Sequence, residues 1–165
     1  MNEDAQSKIP LEIRVDIASQ RLSLVAPRPG AEPEVLAVYP VSTSGFGIGS
    51  VEGSHCTPLG AFAVAQKIGG EAAPGTVFSS RLPTGEITPP VSPADPRDLV
   101  VTRILWLTGL EPHNANTFAR YIYIHGTNHE ETIGTPCSHG CVRMRNLDII
   151  ALYEAVAEGT PVFIA

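Results

Sequence analysis

The chain has 165 residues, which suits one globular domain with a sizeable hydrophobic core. Its formal net charge of −6, with scattered basic residues, argues against a nucleic acid as partner. No apolar run approaches the roughly 20 residues that a membrane helix needs, so we expect no membrane partner either. Fifteen glycines and fifteen prolines favour a loop-rich β protein over a helical bundle.

The N-terminus is polar and acidic, and we expect residues 1–10 to be a disordered segment ahead of a single domain over residues 11–165. It shows neither the basic nor the apolar region of a secretory signal. We therefore expect a cytoplasmic location if Met1 is the native start, and a periplasmic one if the N-terminus was trimmed. Three cysteines cannot all pair, and free thiols fit a reducing compartment.

Alternating apolar residues predict four strands in the first half of the chain. The first two are joined by a turn at residues 18–20 and form an opening hairpin. The third has Val35, Ala37, Tyr39 and Val41 in step, which predicts that they share one face. In order, the predicted strands cover residues 11–16, 21–25, 35–42 and 61–66.

Stretches rich in Gly, Ser and Pro predict the loops between these strands. Residues 27–30 and 43–59 are two of them, and the second is expected to lie over one face of the sheet. Residues 69–98 are expected to form a long surface loop with a short strand at 76–78. A loop of this length is usually functional, and it invites the idea of a lid.

The second half contains two buried strands and the only predicted helix. Apolar, β-rich runs predict strands over residues 99–107 and 121–124, with a polar loop between them. A helix is expected to begin at Asn146 as N-cap and to end near Gly159 at the C′ position. Four apolar residues at helical spacing support it, and a short strand over 161–164 follows. They are Ile149, Leu152, Tyr153 and Val156.

The segment from residue 125 to residue 144 carries the residue types that acyl transfer needs. It follows a predicted buried strand and opens into a loop rich in Gly, Ser, His and Cys. Cys141 can act as a thiolate nucleophile, and either His125 or His139 can take its proton. A backbone carbonyl such as that of Gly126 can orient the imidazole of His125.

Neighbouring groups are candidates for binding the substrate. The backbone N–H groups of Gly140 and Cys141 could form an oxyanion hole. Arg143 could clamp a substrate carboxylate through two N–H groups. His139 could bind substrate or hold the loop, and Ser138 could hydrogen-bond within it.

Plain structural roles stay open beside these readings. Cys141 could be a small buried hydrophobe, His125 a hydrogen-bonded core residue and Arg143 a solvated surface residue. Two observations favour chemistry at the cysteine. Gly140 leaves room for a substrate to approach, and two histidines lie in the same segment.

Zinc binding is a rival hypothesis of a different class. Cys137, His139 and Cys141 form a Cys-x-His-x-Cys pattern, and His125 and His129 are four residues apart. These spacings do not match the common C-x₂-C pairs, and the glycines of the segment disfavour the helix that histidine ligands four residues apart require. We therefore expect neither a metal nor a cofactor.

The same segment resembles the signature of the L,D-transpeptidase catalytic domain family, also called the YkuD-type domain. The resemblance is strongest in the upstream Ile-His-Gly-Thr and in Ser-His-Gly-Cys-Val-Arg-Met around the cysteine. It extends to further stretches and covers roughly residues 13–164. The matching stretches are residues 39–44, 57–62, 124–127, 133–134, 138–144 and 146–162.

The resemblance implies a mainly β, β-sandwich-like fold with one short α-helix after the cysteine loop. It implies that the cysteine is the nucleophile and the upstream histidine its base, oriented by a backbone carbonyl. The implied catalytic residues are Cys141, His125, Gly126 and Gly140, and the implied substrate-binding residues are Ser138, His139 and Arg143.

The implied substrate is the tetrapeptide stem of bacterial peptidoglycan or a muropeptide, cleaved at the L,D bond before its terminal D-Ala. Water as acceptor gives an L,D-carboxypeptidase, and an amine gives a 3→3 cross-link. The resemblance also implies acylation by carbapenems. Since no signal and no wall-binding module are visible, we expect first a cytosolic L,D-carboxypeptidase of muropeptide recycling. The alternatives are an exported L,D-transpeptidase and a non-catalytic muropeptide-binding or zinc module.

Overall fold

A computed structural model of the protein describes residues 9–165, so the predicted N-terminal segment lies outside the described residues as far as Lys8. The described part contains ten β-strands, one α-helix and two short 3-10 helices, Pro112–Asn114 and Glu130–Thr132. The other elements, in chain order, are β1 (Glu12–Asp16), β2 (Arg21–Arg28), β3 (Ala31–Ser42), β4 (Gly60–Ile68), β5 (Thr76–Ser79), β6 (Leu82–Ile87), β7 (Val100–Gly109), β8 (Tyr123–Gly126), β9 (Val142–Met144), α1 (Asn146–Ala155) and β10 (Pro161–Ile164).

The sheet closes on itself. Hydrogen-bonded neighbours follow the order β4-β10-β1-β2-β3-β9-β8-β7, and β7 pairs again with β4. The pairs β1–β10 and β8–β9 are parallel, and the other neighbours are antiparallel. Closure leaves these strands few open edges. The hairpin of β5 and β6 extends the sheet outside this ring, because β5 pairs with the first part of β7.

The space inside the ring is filled by aliphatic side chains from opposite walls. Leu22, Leu105, Ile124 and Val142 are fully buried there. Helix α1 packs against β7 and β8 and adds further apolar side chains to this core. Each large aliphatic side chain that is fully buried contributes about 1.5–3 kcal/mol. The predicted fold class, mainly β with one α-helix after the cysteine loop, is confirmed.

Two predicted boundaries and one predicted face are wrong in the sheet. Strand β2 runs on to Arg28, so the predicted loop at 27–30 shrinks to a tight turn. A register shift between β2 and β3 turns Val35 outward, where it is 57% exposed, while Ala37 and Tyr39 still pack against the core. Residues 69–98 are not one loop with a single strand, because β6 returns along β5 as a hairpin.

Both predicted helix caps are also wrong. The helix begins at Asn146 itself, with Arg145 at the N-cap position, and its first N–H donates to Glu130 Oε1 at 2.7 Å. The carboxylate of Glu130, 16 residues away in sequence, therefore caps the helix in place of a neighbouring side chain. The helix ends at Ala155, and Gly159 lies in the turn before β10 with φ +90°.

Candidate active site

Strands β8 and β9 lie side by side and divide their residues between two faces. Their parallel register pairs Ile124 with Val142 and His125 with Arg143. Ile124 and Val142 face the core inside the ring. Because side chains alternate along a strand, His125 and Arg143 lie on the outer face. Cys141, directly before β9, packs on this outer side.

His125 is held in one orientation. Its ring is 3% exposed, and Nδ1 donates to the carbonyl oxygen of Gly126 at 2.5 Å. The other nitrogen, Nε2, is therefore left as an acceptor. Burial lowers the pKa of His125, and the field of Asp98 and the Gly126 contact only partly oppose this. The imidazole is therefore neutral at neutral pH.

Gly126 lies where the chain has no room for a side chain. A Cβ there would come within 2.6 Å of both the Val101 carbonyl oxygen and Asn146 Oδ1. The nearby Asn146 amide also donates to the Thr127 carbonyl oxygen at 2.8 Å. Helix α1 is thus tied to the end of β8 through Asn146, and the glycine permits this close approach.

A β-bulge in β7 lies opposite the end of β8. The register shifts between Val101 and Ile104, and Thr102 adopts φ +74°, which is unusual for a β-branched residue. Thr102 Oγ1 donates to Asn146 Oδ1 at 2.5 Å and accepts the N–H of Gly75 at 2.9 Å. These bonds fix the bulge, which in turn positions the backbone around His125.

The thiol of Cys141 is partly buried and rests in its neutral form. Its sulfur accepts the N–H of Tyr123 at 3.3 Å, and the thiol donates to the Tyr121 carbonyl oxygen at 3.4 Å. Burial raises the pKa of Cys141 to about 12, against the opposing effect of the Tyr123 N–H. The resting site is therefore a neutral thiol beside a neutral imidazole. Proton transfer to His125 requires the thiol hydrogen to rotate away from Tyr121.

The loop before the cysteine is pinned by internal hydrogen bonds. Ser138 Oγ donates to the Cys141 carbonyl oxygen at 2.6 Å and accepts the N–H of Gly140 at 3.3 Å. Thr57 Oγ1 donates to the Gly140 carbonyl oxygen at 2.9 Å, and Gly140 has φ +124°. Ser138 is 1% exposed. Ser138 thus lies beneath the surface of the loop and shapes it through these bonds, and its predicted contact with substrate stays a prediction.

Asp98 is a site residue that the sequence analysis missed. Its carboxylate accepts from His139 Nδ1 and from Arg143 Nη1, both at 3.0 Å. Burial would raise its pKa, but the charge of Arg143, that of His125 once acid pH protonates it, and these two hydrogen bonds hold the pKa of Asp98 below its ordinary value. Asp98 immediately precedes the apolar run of β7. The one sequence signal for Asp98 was this position. A residue at the start of a strand that pairs antiparallel with β8 lies near the end of β8, where His125 is.

Arg143 is buried, with 3% of its side chain exposed. Besides its contact with Asp98, its guanidinium donates to Thr132 Oγ1 at 2.9 Å and lies against the sulfur of Cys137. Its predicted role as a substrate clamp stays a prediction. In this structure its Nη donors are engaged within the protein, and it fixes the position of Asp98.

The candidate catalytic side chains line one open cavity of about 210 Å³. It is lined by Asp98, Val100, His125, His139 and Cys141. Three of the predicted site residues, both histidines and the cysteine, thus meet in one place. The ring of His139 is exposed and stands at the rim, where it approaches Phe46 and His55.

The rival zinc pattern does not converge. Cys137 contacts Arg143, His139 contacts Asp98, and Cys141 contacts the backbone of β8. Across residues 9–165, no three His, Cys, Asp or Glu side chains come together as a metal site would require. Within the same residues, no helix has both the length and the apolar character needed to span a membrane.

A closed β-sheet with a cysteine and an oriented histidine in one cavity defines an enzyme site suited to acyl transfer. The family model described as the L,D-transpeptidase catalytic domain matches residues 10–164, and the chain belongs to this family.

Known proteins share this sequence and fold in part. The chain is 41% identical over 78 residues to the probable L,D-transpeptidase YbiS of Escherichia coli, a match that covers 47% of this chain and 22% of that one. The structure of the L,D-transpeptidase from Xylanimonas cellulosilytica is similar with TM-score 0.57 and 20% identity, over 100% of this chain and 65% of that one. L,D-transpeptidase 3 from Mycobacterium tuberculosis, solved with a faropenem-derived adduct, is similar with TM-score 0.55 and 19% identity, over 93% and 59%. The matches cover between 22% and 27% of the length of the curated relatives.

Proposed function

We propose that this chain is a cysteine acyl-enzyme that cleaves the L,D bond before the terminal D-Ala of peptidoglycan tetrapeptide stems. One observation carries the proposal. Cys141 and His125 line the same cavity, and the Gly126 carbonyl leaves His125 Nε2 as the free acceptor. A nucleophile, its base and the group that orients the base are thus present together.

The neutral resting pair fixes the order of proton movements. As Cys141 Sγ attacks the substrate carbonyl carbon, its proton passes to His125 Nε2. The negative oxygen that develops then accepts hydrogen bonds from the backbone N–H groups of Cys141 and Gly140. For this, the Gly140 N–H must first break its hydrogen bond to Ser138 Oγ. When the C–N bond breaks, the imidazolium returns the proton to the leaving amine of D-Ala. A thioester on Cys141 remains.

Asp98 supports the charged intermediate. The imidazolium exists only while the tetrahedral intermediate does, and the field of Asp98 acts on His125 in the direction that favours it. Asp98 itself is held by Arg143 and His139. We assign Arg143 the task of positioning this carboxylate. His139, at the open rim, remains available to contact the substrate.

Our first choice for the acceptor of the thioester is water, and our first choice of location is the cytosol. The chain would then be an L,D-carboxypeptidase of muropeptide recycling. The cysteines support this compartment, because Cys56, Cys137 and Cys141 are all free thiols. Transfer to an amine is the second candidate. The rim beside His139 favours it, since Phe46 is 60% exposed there and offers an apolar contact to an incoming acceptor.

Mass analysis of a tetrapeptide stem incubated with the pure protein tests both candidates. Loss of one D-Ala, absent with Cys141→Ala, is the expected result. A cross-linked dimer, or exchange of D-Ala for an added D-amino acid, would favour transfer. If no Cys141-dependent product forms, the catalytic proposal is wrong and the hypothesis of a non-catalytic muropeptide-binding module takes its place.

Acylation by a penem or carbapenem gives a second readout of the same thiol. The adduct on the Mycobacterium tuberculosis relative supports the expectation that Cys141 forms one here. The expected result is a mass increase equal to one drug molecule, located on the peptide that contains Cys141. A variant with Cys56→Ala should acquire the same adduct, and Cys141→Ala should not.

A further inference from the structure

The turn before β8 contacts the nucleophile and carries a partly buried arginine, Arg120. The backbone N–H of Arg120 donates to the Asn116 carbonyl oxygen at 2.9 Å, and the next residue, Tyr121, adopts φ +58°. In this turn the Tyr121 carbonyl oxygen lies 3.4 Å from Cys141 Sγ and accepts the thiol hydrogen. The residue that follows Arg120 is therefore in direct contact with the sulfur.

The side chain of Arg120 reaches the loop over residues 43–59. Its Nη2 donates to the Cys56 carbonyl oxygen at 2.9 Å, and its Nη1 donates to the Gly49 carbonyl oxygen at 3.3 Å. The planar fork of an arginine suits two acceptors at once, and here it joins two points of one loop. Arg120 thus fixes the Cys56 carbonyl group relative to the turn before β8.

The Cys56 carbonyl group lies against Gly140 in the loop before the nucleophile. A Cβ on Gly140 would come within 3.3 Å of the Cys56 carbonyl oxygen, and Thr57 Oγ1 donates to the Gly140 carbonyl oxygen at 2.9 Å. The Gly140 N–H is one of the two donors proposed for the developing oxyanion, and such donors act by being fixed in advance. Arg120 therefore acts on the position of a proposed oxyanion donor through Cys56.

The charge of Arg120 acts on the thiol as well. Burial is the main cause of the raised pKa of Cys141, about 12, and the charge of Asp98 adds to it. Arg120 and Arg143 act in the opposite direction, but Arg143 is paired with Asp98 at 3.0 Å. Within residues 9–165, no carboxylate forms an ion pair with Arg120. Of these two cations, Arg120 is therefore the one whose field on the thiol has no direct counter-charge.

We propose that Arg120 is a positioning residue for acyl transfer and performs two tasks with one guanidinium. Through the Cys56 carbonyl group it keeps the Gly140 N–H in place for the developing oxyanion. Through its charge it favours the negative charge that arises on the sulfur and on the carbonyl oxygen during attack. This inference rests on the proposed function and adds a residue to its machinery. The plain alternative is an arginine that only fastens the loop.

Two reagents that react with Cys141 separate the two tasks without a peptide substrate. Alkylation by iodoacetamide needs the thiolate but develops no oxyanion, whereas acylation by a penem needs both. Arg120→Gln should slow alkylation at pH 8 by about threefold, because a cation favours the thiolate. It should slow acylation by about tenfold or more, because a displaced oxyanion donor adds its own loss. Arg120→Lys keeps the charge but not the fork, so it should restore alkylation and leave acylation slow. Mass spectrometry of the Cys141 peptide measures both rates.

Asn116 offers a matched control in the same turn. Its Nδ2 donates to the Ser50 carbonyl oxygen at 2.8 Å, so it fastens the same loop without a charge. Asn116→Ala should leave the alkylation rate unchanged. Equal slowing of alkylation by Asn116→Ala and Arg120→Gln would show that the arginine only fastens the loop, and would overturn the proposal. An acylation rate that falls no further than the alkylation rate would overturn the positioning of Gly140.

Turnover of the tetrapeptide stem gives an independent readout. Arg120→Gln should lower kcat about tenfold with little change in KM, because the guanidinium contacts the loop and not the substrate. A raised KM with unchanged kcat would indicate a substrate contact and contradict the proposal. If the original protein shows neither turnover nor acylation, the proposed function is wrong, and the alkylation rates still decide whether Arg120 acts on the thiol.

Discussion

The two faces of the β8–β9 pair are built from the same short segments but have different roles. On the inner face, Ile124, Val142 and Met144 are fully buried among aliphatic neighbours. On the outer face, His125 and Cys141 meet in an open cavity. Residues adjacent in the chain thus belong to the core or to the chemistry according to the parity of their position.

The comparison teaches that this site is anchored by its own strands. Cys141 directly precedes β9, and His125 lies on the neighbouring strand β8, opposite Arg143. Because the other face of both strands is a packed core, neither residue has much freedom to move. Substitutions on the inner face should therefore cost stability, and those on the outer face should cost activity while the fold persists. The following predictions test that division, in descending order of effect.

The largest effect is expected at His125. His125→Gln removes the proposed general base, and on the proposed reaction we expect the rate of D-Ala release to fall by about 10²–10⁴-fold, the usual contribution of a general base. The protein should stay folded with a modestly lower melting temperature, because the side chain is buried but lies outside the aliphatic core. Activity assays beside a thermal melt measure both. A variant that unfolds, or one that keeps more than half its activity, would contradict the division.

The inner face should behave in the opposite way. Met144 is fully buried, so Met144→Ala should lower the free energy of unfolding by about 2–5 kcal/mol through lost contacts and a cavity. Urea denaturation measures this, and activity per folded molecule should stay within about twofold of the original. Leu147→Ala, at a position 77% exposed, is the control and should be nearly neutral. A loss of activity that exceeds the loss of folded protein would break the comparison.

Asp98 bridges the two effects, because it holds the buried Arg143 and faces His125. Asp98→Asn leaves that guanidinium without its counter-charge, and since Asp98 is 25% exposed we expect a loss of about 1–3 kcal/mol, below that of a fully buried pair. The pKa of Asp98 is lowered in the folded state. Its contribution is therefore complete above the ordinary aspartate pKa of about 3.9 and is lost as the pH falls through the lower folded value.

Urea denaturation at several pH values checks this assignment. The difference in unfolding free energy between the original protein and Asp98→Asn should be full at pH 7 and should narrow below about pH 4. His125→Gln is the control for acid effects of the imidazole. The pKa of His125 is lowered by burial, so its cost to stability arises as the pH falls below about 6.5, a higher range. A difference for Asp98→Asn that is independent of pH would show that the charge is not what matters.

The smallest effect concerns the thiol in the absence of substrate. With the pKa of Cys141 raised to about 12, its alkylation by iodoacetamide should be slow at pH 7 and should still be rising at pH 10. An ordinary cysteine levels off above its pKa of about 8.5. Mass spectrometry of the Cys141 peptide against time and pH measures this, with the Cys56 peptide as internal comparison. Fast alkylation at pH 7 would indicate a preformed thiolate and a different order of proton transfer.

The parts of the site that depend on short stretches of chain could be predicted from the sequence. The run of Ile122, Tyr123 and Ile124 predicted the buried strand that leads into the site, although β8 begins at Tyr123 and runs on to Gly126. The sequence also contained the motif around Cys141 on which the family resemblance depends. Strands, helix and the histidine–cysteine pairing in one cavity could be argued from it because each depends on short stretches of chain.

The tertiary structure decided everything that joins distant residues. The closure of β7 onto β4, the bulge at Thr102 and the return of β6 depend on pairing energies that no single segment displays. The helix start was misassigned for the same reason, because its first N–H binds Glu130 instead of a neighbouring cap.

The charged surroundings of the thiol belong to this second class. Asp98 and Arg120 lie 43 and 21 residues from Cys141 in sequence, and the folded chain brings the charges of both to bear on its thiol. An isolated Asp or Arg in a polar stretch carries no periodic signal. Its role arises from the field and contacts of the folded chain. The residue types and the family resemblance singled out Cys141 as the candidate nucleophile, and only the folded sheet decided which charges surround it.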